Sequence, residues 1–149
     1  MKLTLLRHGD TEGSRNDLYY GAADIPVLPD SLETLAARAK TGVYPTAARY
    51  YTSGLLRTEQ TLQALYGDVA HVQLPGLREM DFGDFEMRSY QELQDDPAFQ
   101  AWCQDAEHNT CPNGESAPQV LARNLAAPSR CWTPARTRCA SSTAASPAD

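Results

Sequence analysis

Short apolar runs alternate with stretches of helical periodicity over the first two thirds of the chain. The run KLTLLR at residues 2–7 predicts a buried strand. The segment RYYTS at residues 49–53 predicts a second strand, because Tyr and Thr favour the extended conformation. A third strand is predicted within residues 68–75, DVAHVQLP, where the proline closes it. Residues 14–30 contain Gly21, Pro26 and Pro29 and are therefore predicted to form a loop.

Two longer helices are predicted between and after these strands. The first begins at an N-cap of Asp30 or Ser31 and stops at Gly42. Its apolar positions follow the spacing of one helical face and are Leu32, Leu35, Ala36 and Ala39. The second helix covers GLLRTEQTLQALYG and ends at Gly67. Because strands and helices alternate, the pattern favours a parallel sheet covered by helices.

Two shorter helices are predicted within residues 89–106. A capping box of Ser89 and Glu92 starts the first of them. Asp96 followed by Pro97 starts the second, because proline suits the first helical position.

The composition of the chain changes at residue 126. From there to Asp149 the chain contains no Leu, Ile, Val, Met, Phe or Tyr. Such a segment buries too little apolar surface to offset the entropy lost on ordering. We therefore predict one domain over residues 1–125 and a disordered or loosely attached tail over residues 126–149. The tail has the composition expected of a shifted reading frame or a spliced-in end.

Size and charge exclude several classes of protein. The 149 residues suffice for one domain, and a net charge of −6 argues against a nucleic-acid or membrane-surface partner. No stretch has the length of a membrane-spanning helix, and the apolar start is too short for a signal peptide, so we expect a cytoplasmic protein. The four cysteines match no metal-binding spacing, which predicts free thiols and no metal site.

Polar groups follow each of the three predicted strands. Arg7 ends the first strand and His8 follows it, and Arg57 lies on the first helical turn after the second strand. Glu79 comes after the third strand. Because parallel strands end at one edge of a sheet, we expect these side chains to converge there. Two arginines suit a phosphate or carboxylate group, and a nearby carboxyl group can donate a proton.

The stretches that carry these groups are LLRHGDTEG, SGLLRTEQT and LREMDFGDFE. In this order and spacing they resemble the signature blocks of the histidine phosphatase superfamily, which includes the cofactor-dependent phosphoglycerate mutases. The third block resembles the form found in small phosphatases such as α-ribazole phosphatase. The segment PNGES at residues 112–116, with Arg123 seven residues after Ser116, resembles the lead into a late family helix. The resemblance covers roughly residues 1–125.

The resemblance implies a three-layer α/β/α fold with a phosphoglycerate mutase-like sheet, incomplete at the C-terminus. It also implies hydrolysis of a small phosphorylated metabolite without metal or cofactor. His8 would attack phosphorus, Arg7 and Arg57 would neutralise the phosphoryl oxygens, and Glu79 would protonate the leaving oxygen. The residues that would hold the substrate are Arg7, Arg57, Ser14, Asn16 and Gly21.

The sequence also departs from the family pattern. Ser14 stands where the family usually has an asparagine of the phosphate pocket, and Asn16 lies two residues on. Met87 stands where glycine is usual. The family's second catalytic histidine is missing, because no histidine follows His108. Beside a slow phosphatase, two alternatives therefore stay open: an impaired pseudoenzyme or anion-binding module that retains the arginine clamp, and a non-functional truncated product. The phosphomonoester and the oligomeric state stay open as well.

Overall fold

The computed structural model describes residues 2–129. The helices of this part of the chain are α1 (Glu12–Arg15), α2 (Pro29–Ala39), α3 (Leu56–Tyr66), α4 (Tyr90–Leu93), α5 (Pro97–Gln104) and α6 (Ala117–Ser129). The strands are β1 (Leu18–Tyr19), β2 (Tyr50–Thr52), β3 (His71–Gln73) and β4 (Arg88–Ser89), and 3₁₀ turns lie at Pro75–Leu77 and Gly83–Phe85.

The second and third predicted strands pair in parallel, as the alternation of strands and helices predicted. In the β2–β3 register, Tyr50 lies opposite His71 and Thr52 lies opposite Gln73. The Leu74 N–H continues the ladder by donating to the Thr52 carbonyl at 2.8 Å. α3 crosses over from β2 to β3, so the end of β2 lies directly before the first turn of this helix.

The predicted apolar face of α2 is confirmed, since Leu32, Leu35, Ala36 and Ala39 are all half-buried and the helix packs on α3. The predicted bounds of α2 are wrong at both ends. α2 begins at Pro29 after an N-cap of Leu28 without a side-chain capping bond, and it ends at Ala39. The two predicted capping side chains bind the segment before the helix instead: Asp30 pairs with Arg15, and the Ser31 hydroxyl accepts from the Asp10 N–H.

The predicted end of α3 and the predicted starts of α4 and α5 are confirmed. α3 ends at Gly67, whose φ of 73° is the left-handed conformation that favours glycine. α4 starts with the predicted capping box of Ser89 and Glu92. α5 starts at Pro97, and the Asp96 side chain accepts from the Ala98 N–H.

An aromatic cluster forms the hydrophobic core beside β1 and β4. Its buried members are Phe85, Leu93, Phe99 and Cys111, and its half-buried members are Tyr19, Met80, Phe82 and Trp102. The Tyr19 ring meets the rings of Phe82 and Phe99 edge-on, with centroid distances of 5.6 and 5.3 Å. Burial raises the pKa of the Cys111 thiol to about 11, so this cysteine acts as a neutral core residue.

The buried strand predicted over residues 2–7 is wrong. These residues belong to no strand and are exposed, and the Leu5 side chain is 84% accessible. A strand needs a hydrogen-bonded neighbour, and among residues 2–129 the sheets consist of β1 with β4 and β2 with β3 alone. The predicted loop over residues 14–30 also contains the end of α1 and the strand β1.

The last described helix extends into the predicted tail. α6 includes residues 126–129, and the rest of the predicted tail, residues 130–149, lies outside the described residues. None of the helices within residues 2–129 is long and apolar enough to cross a membrane.

Replacing two leucines tests where the core lies. Leu93→Ala should lower the free energy of unfolding by about 2–5 kcal/mol, because this side chain is fully buried in the aromatic cluster. Leu5→Ala, the matched control, should cost less than about 0.5 kcal/mol, because this side chain is exposed. Urea unfolding of both variants measures the difference. Equal losses would show that residues 2–7 form a buried strand after all.

Candidate active site

The segment that contains His8 is held by the two long helices. The Gly9 N–H donates to the Thr61 hydroxyl on α3 at 3.0 Å, and the Asp10 N–H donates to the Ser31 hydroxyl on α2 at 2.8 Å. A Cβ added to Gly9 would lie 2.7–2.9 Å from the side chains of Val27, Leu35 and Ser31, so any larger residue there would displace them. The position of His8 therefore depends on α2 and α3.

The His8 ring is half-buried and held in one tautomer. Its Nδ1 lies 2.7 Å from the Gly9 carbonyl oxygen, which can only accept a hydrogen bond. Nδ1 therefore carries the proton, and in the neutral ring the lone pair is on Nε2. Burial lowers the pKa of His8, and the positive charges of Arg57 and Arg7 lower it further against the opposing effects of Gly9 and Glu79. His8 is thus a neutral potential nucleophile at pH 7.

Arg57 is the buried cation of the site. It lies on the first turn of α3, is 1% exposed and donates from Nη1 to the Ala23 carbonyl and from Nη2 to the Gly21 carbonyl, both at 2.8 Å. Its guanidinium carbon lies 5.1 Å from the centroid of the Tyr20 ring, whose edge-on neighbour is His8. The Arg57 Nε–H is buried without a partner among the described residues.

The loop that binds Arg57 is itself held by Glu86. This carboxylate accepts from the N–H groups of Gly21, Ala22 and Ala23 at 2.9–3.1 Å. It also accepts from the Phe82 N–H at 2.9 Å. The loop therefore presents its N–H groups to a carboxylate and its carbonyls to a guanidinium.

The loop can approach its neighbours because of the backbone at two positions, Gly21 and Met87. A Cβ on Gly21 would overlap the backbone carbonyl of Met80, so only glycine fits there. Met87 has a φ of 58°, in the region that favours glycine, and its N–H donates to the Tyr19 carbonyl at 2.7 Å. The positive φ agrees with the glycine that the family usually has at this position.

Glu79 lies on the chain after the 3₁₀ turn that follows β3. Its side chain is 53% exposed, and its Oε2 lies 3.6 Å from Nη2 of Arg57. The Glu79 charge also acts on His8. A carboxyl group in this place can exchange a proton with a group bound beside Arg57.

The other predicted site residues occupy different positions. Arg7 is exposed, and its charge reaches His8. The Ser14 side chain takes part in the capping box at the start of α1. Its hydroxyl accepts from the Thr11 N–H at 2.9 Å, and the Thr11 hydroxyl accepts from the Ser14 N–H. Asn16 is the exposed C-cap of α1. The structure therefore brings His8, Arg57, Glu79 and Gly21 together, and it places Ser14 in the helix cap.

Comparison with known proteins identifies the family. The sequence profile of the histidine phosphatase superfamily (branch 1) matches residues 3–134. The chain belongs to this superfamily. Its sequence is 35% identical over 120 residues to the adenosylcobalamin/alpha-ribazole phosphatase of Escherichia coli (strain K12), covering 77% of this chain and 59% of the relative. It is 31% identical over 136 residues to the 2,3-bisphosphoglycerate-dependent phosphoglycerate mutase of Bartonella bacilliformis, covering 81% of this chain and 63% of the mutase.

Solved structures show the same fold. The alpha-ribazole phosphatase from Shigella flexneri matches with a TM-score of 0.72 and 30% identity over 84% of this chain and 65% of that one. The phosphoglycerate mutase from Thermus thermophilus matches with a TM-score of 0.63 and 28% identity over 78% of this chain and 64% of that one. The predicted superfamily and phosphoglycerate mutase-like α/β fold are confirmed. The chain spans about three fifths of the length of the curated relatives described above.

Glu86→Gln tests the carboxylate beneath the Arg57 loop. We expect it to lower the free energy of unfolding by about 1–3 kcal/mol, because an amide cannot satisfy all four N–H groups that the carboxylate binds. Glu107→Gln, the same change at an exposed position, should have almost no effect. Chemical denaturation measures both variants. Equal stability of the two would refute the role of Glu86.

Proposed function

We propose that the protein hydrolyses small phosphomonoesters through a phosphohistidine on His8, without a metal ion. The observation that carries this proposal is the His8 ring, whose Nδ1 is held by the Gly9 carbonyl and whose charge environment includes the buried guanidinium of Arg57. The hydrogen bond from Nδ1 to the Gly9 carbonyl leaves the Nε2 lone pair free to attack phosphorus.

The reaction proceeds in two displacements. In the first, Nε2 of His8 bonds to phosphorus, the ester P–O bond breaks, and Glu79 gives its proton to the leaving oxygen. In the second, Glu79 takes a proton from a water molecule, which attacks phosphorus and releases phosphate and neutral His8. Glu79 lies within 3.6 Å of Arg57, so the proton donor and the cation are neighbours.

The arginines supply the positive charge that the transferring phosphoryl group needs. The Arg57 Nε–H has no hydrogen-bond partner within residues 2–129, and Arg7 is an exposed cation whose charge acts on His8. Guanidinium groups bind phosphoryl oxygens in the geometry of a fork. Together they take the part that a metal ion takes in other phosphoryl-transfer sites.

The substrate is a small phosphorylated metabolite. We propose phosphatase rather than mutase chemistry, because the alpha-ribazole phosphatase of Escherichia coli is more similar in sequence than the mutase of Bartonella bacilliformis. Gly21 forms part of the wall against which the substrate binds, since its carbonyl holds Arg57. Ser14, whose hydroxyl belongs to the capping box of α1, and Asn16, the exposed C-cap of that helix, stay predictions as substrate-binding residues.

A second candidate function is an anion-binding module that does not turn over. It is favoured by one observation in the sequence, the lack of any histidine after His108 where the family has its second catalytic histidine. Such a module retains the Arg57 cation and the neutral His8.

His8→Ala distinguishes the two functions. We expect the unaltered protein to hydrolyse p-nitrophenyl phosphate in the presence of EDTA, with a turnover rate below the ~1–10³ s⁻¹ typical of enzymes. The reason is the lack of the family's second catalytic histidine, since losing one donor to the phosphoryl group costs about 10²–10³ in rate. A phosphohistidine should be trapped by rapid acid-free quenching and detected by mass spectrometry. His8→Ala should abolish both signals, whereas His71→Ala, the control in the exposed strand β3, should retain them. Phosphate-induced thermal stabilisation without turnover or phosphohistidine would instead establish the anion-binding module.

The pH dependence of hydrolysis follows from the charges around His8. Neutral His8 is the nucleophile and its pKa is lowered, so kcat/KM for p-nitrophenyl phosphate, whose leaving group needs no proton, should rise with pH through a midpoint below 6.5. Arg7→Gln removes a positive charge that disfavours the imidazolium, so the pKa of His8 and this midpoint should move to higher pH. Arg88→Gln, which removes a cation paired with Asp96, should leave the midpoint in place. NMR titration of the His8 ring gives the same pKa independently of turnover. A shift to lower pH, or none, would refute the effect of Arg7.

A further inference from the structure

The proposed proton donor lies on an exposed stretch of chain. Glu79 follows the 3₁₀ turn at Pro75–Leu77, and its carboxylate is more than half exposed. General acid catalysis requires the acid to be within hydrogen-bonding reach of the leaving oxygen. Some other group must therefore fix the backbone from which Glu79 projects.

The guanidinium of Arg123, on α6, binds this backbone. Its Nη1 donates to the carbonyls of Gly76 at 3.1 Å and Arg78 at 2.7 Å, and its Nη2 donates to the carbonyl of Glu79 at 3.1 Å. Its Nε and Nη2 also donate to the two carboxylate oxygens of Glu115 at 2.9 and 2.6 Å. All five N–H donors of the guanidinium are thus used, three of them on the Glu79 segment.

Glu115 extends this arrangement past Glu79. Its Oε2 accepts from the Asp81 N–H at 3.0 Å, and its own N–H donates to the Asp81 carbonyl at 2.8 Å. The hydrogen bonds from Arg123 hold the pKa of the Glu115 carboxyl below its usual value, so the pair is charged at neutral pH. The segment is therefore held at residues 76–79 by Arg123 and at residue 81 by Glu115.

Close packing of α6 on the turn supports the same contacts. A Cβ on Gly76 would lie 2.6 Å from the Ala127 Cβ and 3.1 Å from the Arg123 carbonyl. Only glycine lets the helix approach the turn near enough for the Arg123 side chain to reach three backbone carbonyls around it.

We infer that Arg123, braced by Glu115, is a positioning residue that sets the Glu79 carboxyl at the leaving oxygen of the substrate. Its five bonds go to the protein itself, so it acts through the backbone of residue 79. This inference rests on the proposed function, in which Glu79 is the proton donor.

Leaving-group dependence separates positioning from simple stabilisation. An alkoxide leaves phosphorus only when it is protonated, whereas p-nitrophenolate leaves without a proton. A displaced Glu79 therefore slows hydrolysis of an alkyl phosphate far more than hydrolysis of p-nitrophenyl phosphate. Loss of folded protein, or of phosphate binding, slows both reactions equally.

The experiment compares ethyl phosphate with p-nitrophenyl phosphate in the full chain. In Arg123→Lys, turnover of ethyl phosphate should fall about 10²-fold, the cost of misplacing a catalytic group by about 1 Å, and turnover of p-nitrophenyl phosphate should fall far less. Glu115→Gln should change the ratio in the same direction. Arg88→Lys is the matched control. Arg88, like Arg123, contacts both a backbone carbonyl and a carboxylate, those of Glu92 and Asp96, but it does not bind the Glu79 segment. In Glu79→Gln, which lacks the acid, adding Arg123→Lys should not change the ratio further.

Two results overturn the inference. One is an equal loss on both substrates in Arg123→Lys. The other is unchanged hydrogen exchange at the amides of residues 77–81, which should exchange faster in Arg123→Lys than in the unaltered chain or in Arg88→Lys. If the unaltered chain hydrolyses neither substrate, the proposed function is refuted, and exchange then shows only whether Arg123 fixes the backbone of residues 77–81.

Discussion

The site depends on keeping one positive charge, that of Arg57, out of water. A buried guanidinium is tolerated only where oxygen atoms surround it, and here the carbonyls of Gly21 and Ala23 accept from it. Carbonyls turned towards a cation leave their N–H groups facing the opposite way. The Ala22 N–H, which opposes the Gly21 carbonyl in the same peptide unit, donates to the Glu86 carboxylate, and the N–H groups of Gly21 and Ala23 donate to it as well. The cation, the loop and the carboxylate are therefore one structural unit, and the chain must bring together residues from three regions to form it.

The same charge gives the site its chemistry. The burial that makes Arg57 costly also disfavours the imidazolium form of His8, and the positive charge of Arg57 adds to this effect. A neutral ring with its proton fixed on Nδ1 is the form that a nucleophile needs. Glu79 is the exposed member of the group, whereas Arg57 is buried and His8 is half-buried.

Local sequence predicted most helices and the grouping of His8, Arg57 and Glu79, but it missed the contacts that hold them. The capping box at Ser89, the end of α3 at Gly67 and the apolar face of α2 each depend on neighbours within a few residues, so the pattern alone specifies them. The contacts of Glu86 with residues 21–23 and of Arg123 with residues 76–79 join positions more than forty residues apart. The periodicity of a sequence reflects local structure, so it does not predict contacts between positions so far apart. The strand predicted over residues 2–7 failed for the related reason that apolar character specifies burial only where a partner strand exists.

That failure shows how the nucleophile is positioned. His8 follows a segment that belongs to no strand, yet the residues after it are held firmly: Gly9 by Thr61, Asp10 by Ser31, and Thr11 by a bridge to Val27. The residues that are held all follow His8 in the chain. Their partners lie on α2, on α3 and on the segment before α2. Glu79 is likewise held from α6 through Arg123 rather than from β3, which precedes it. Within residues 2–129, helices and the loops they hold thus make the contacts that position the reacting groups.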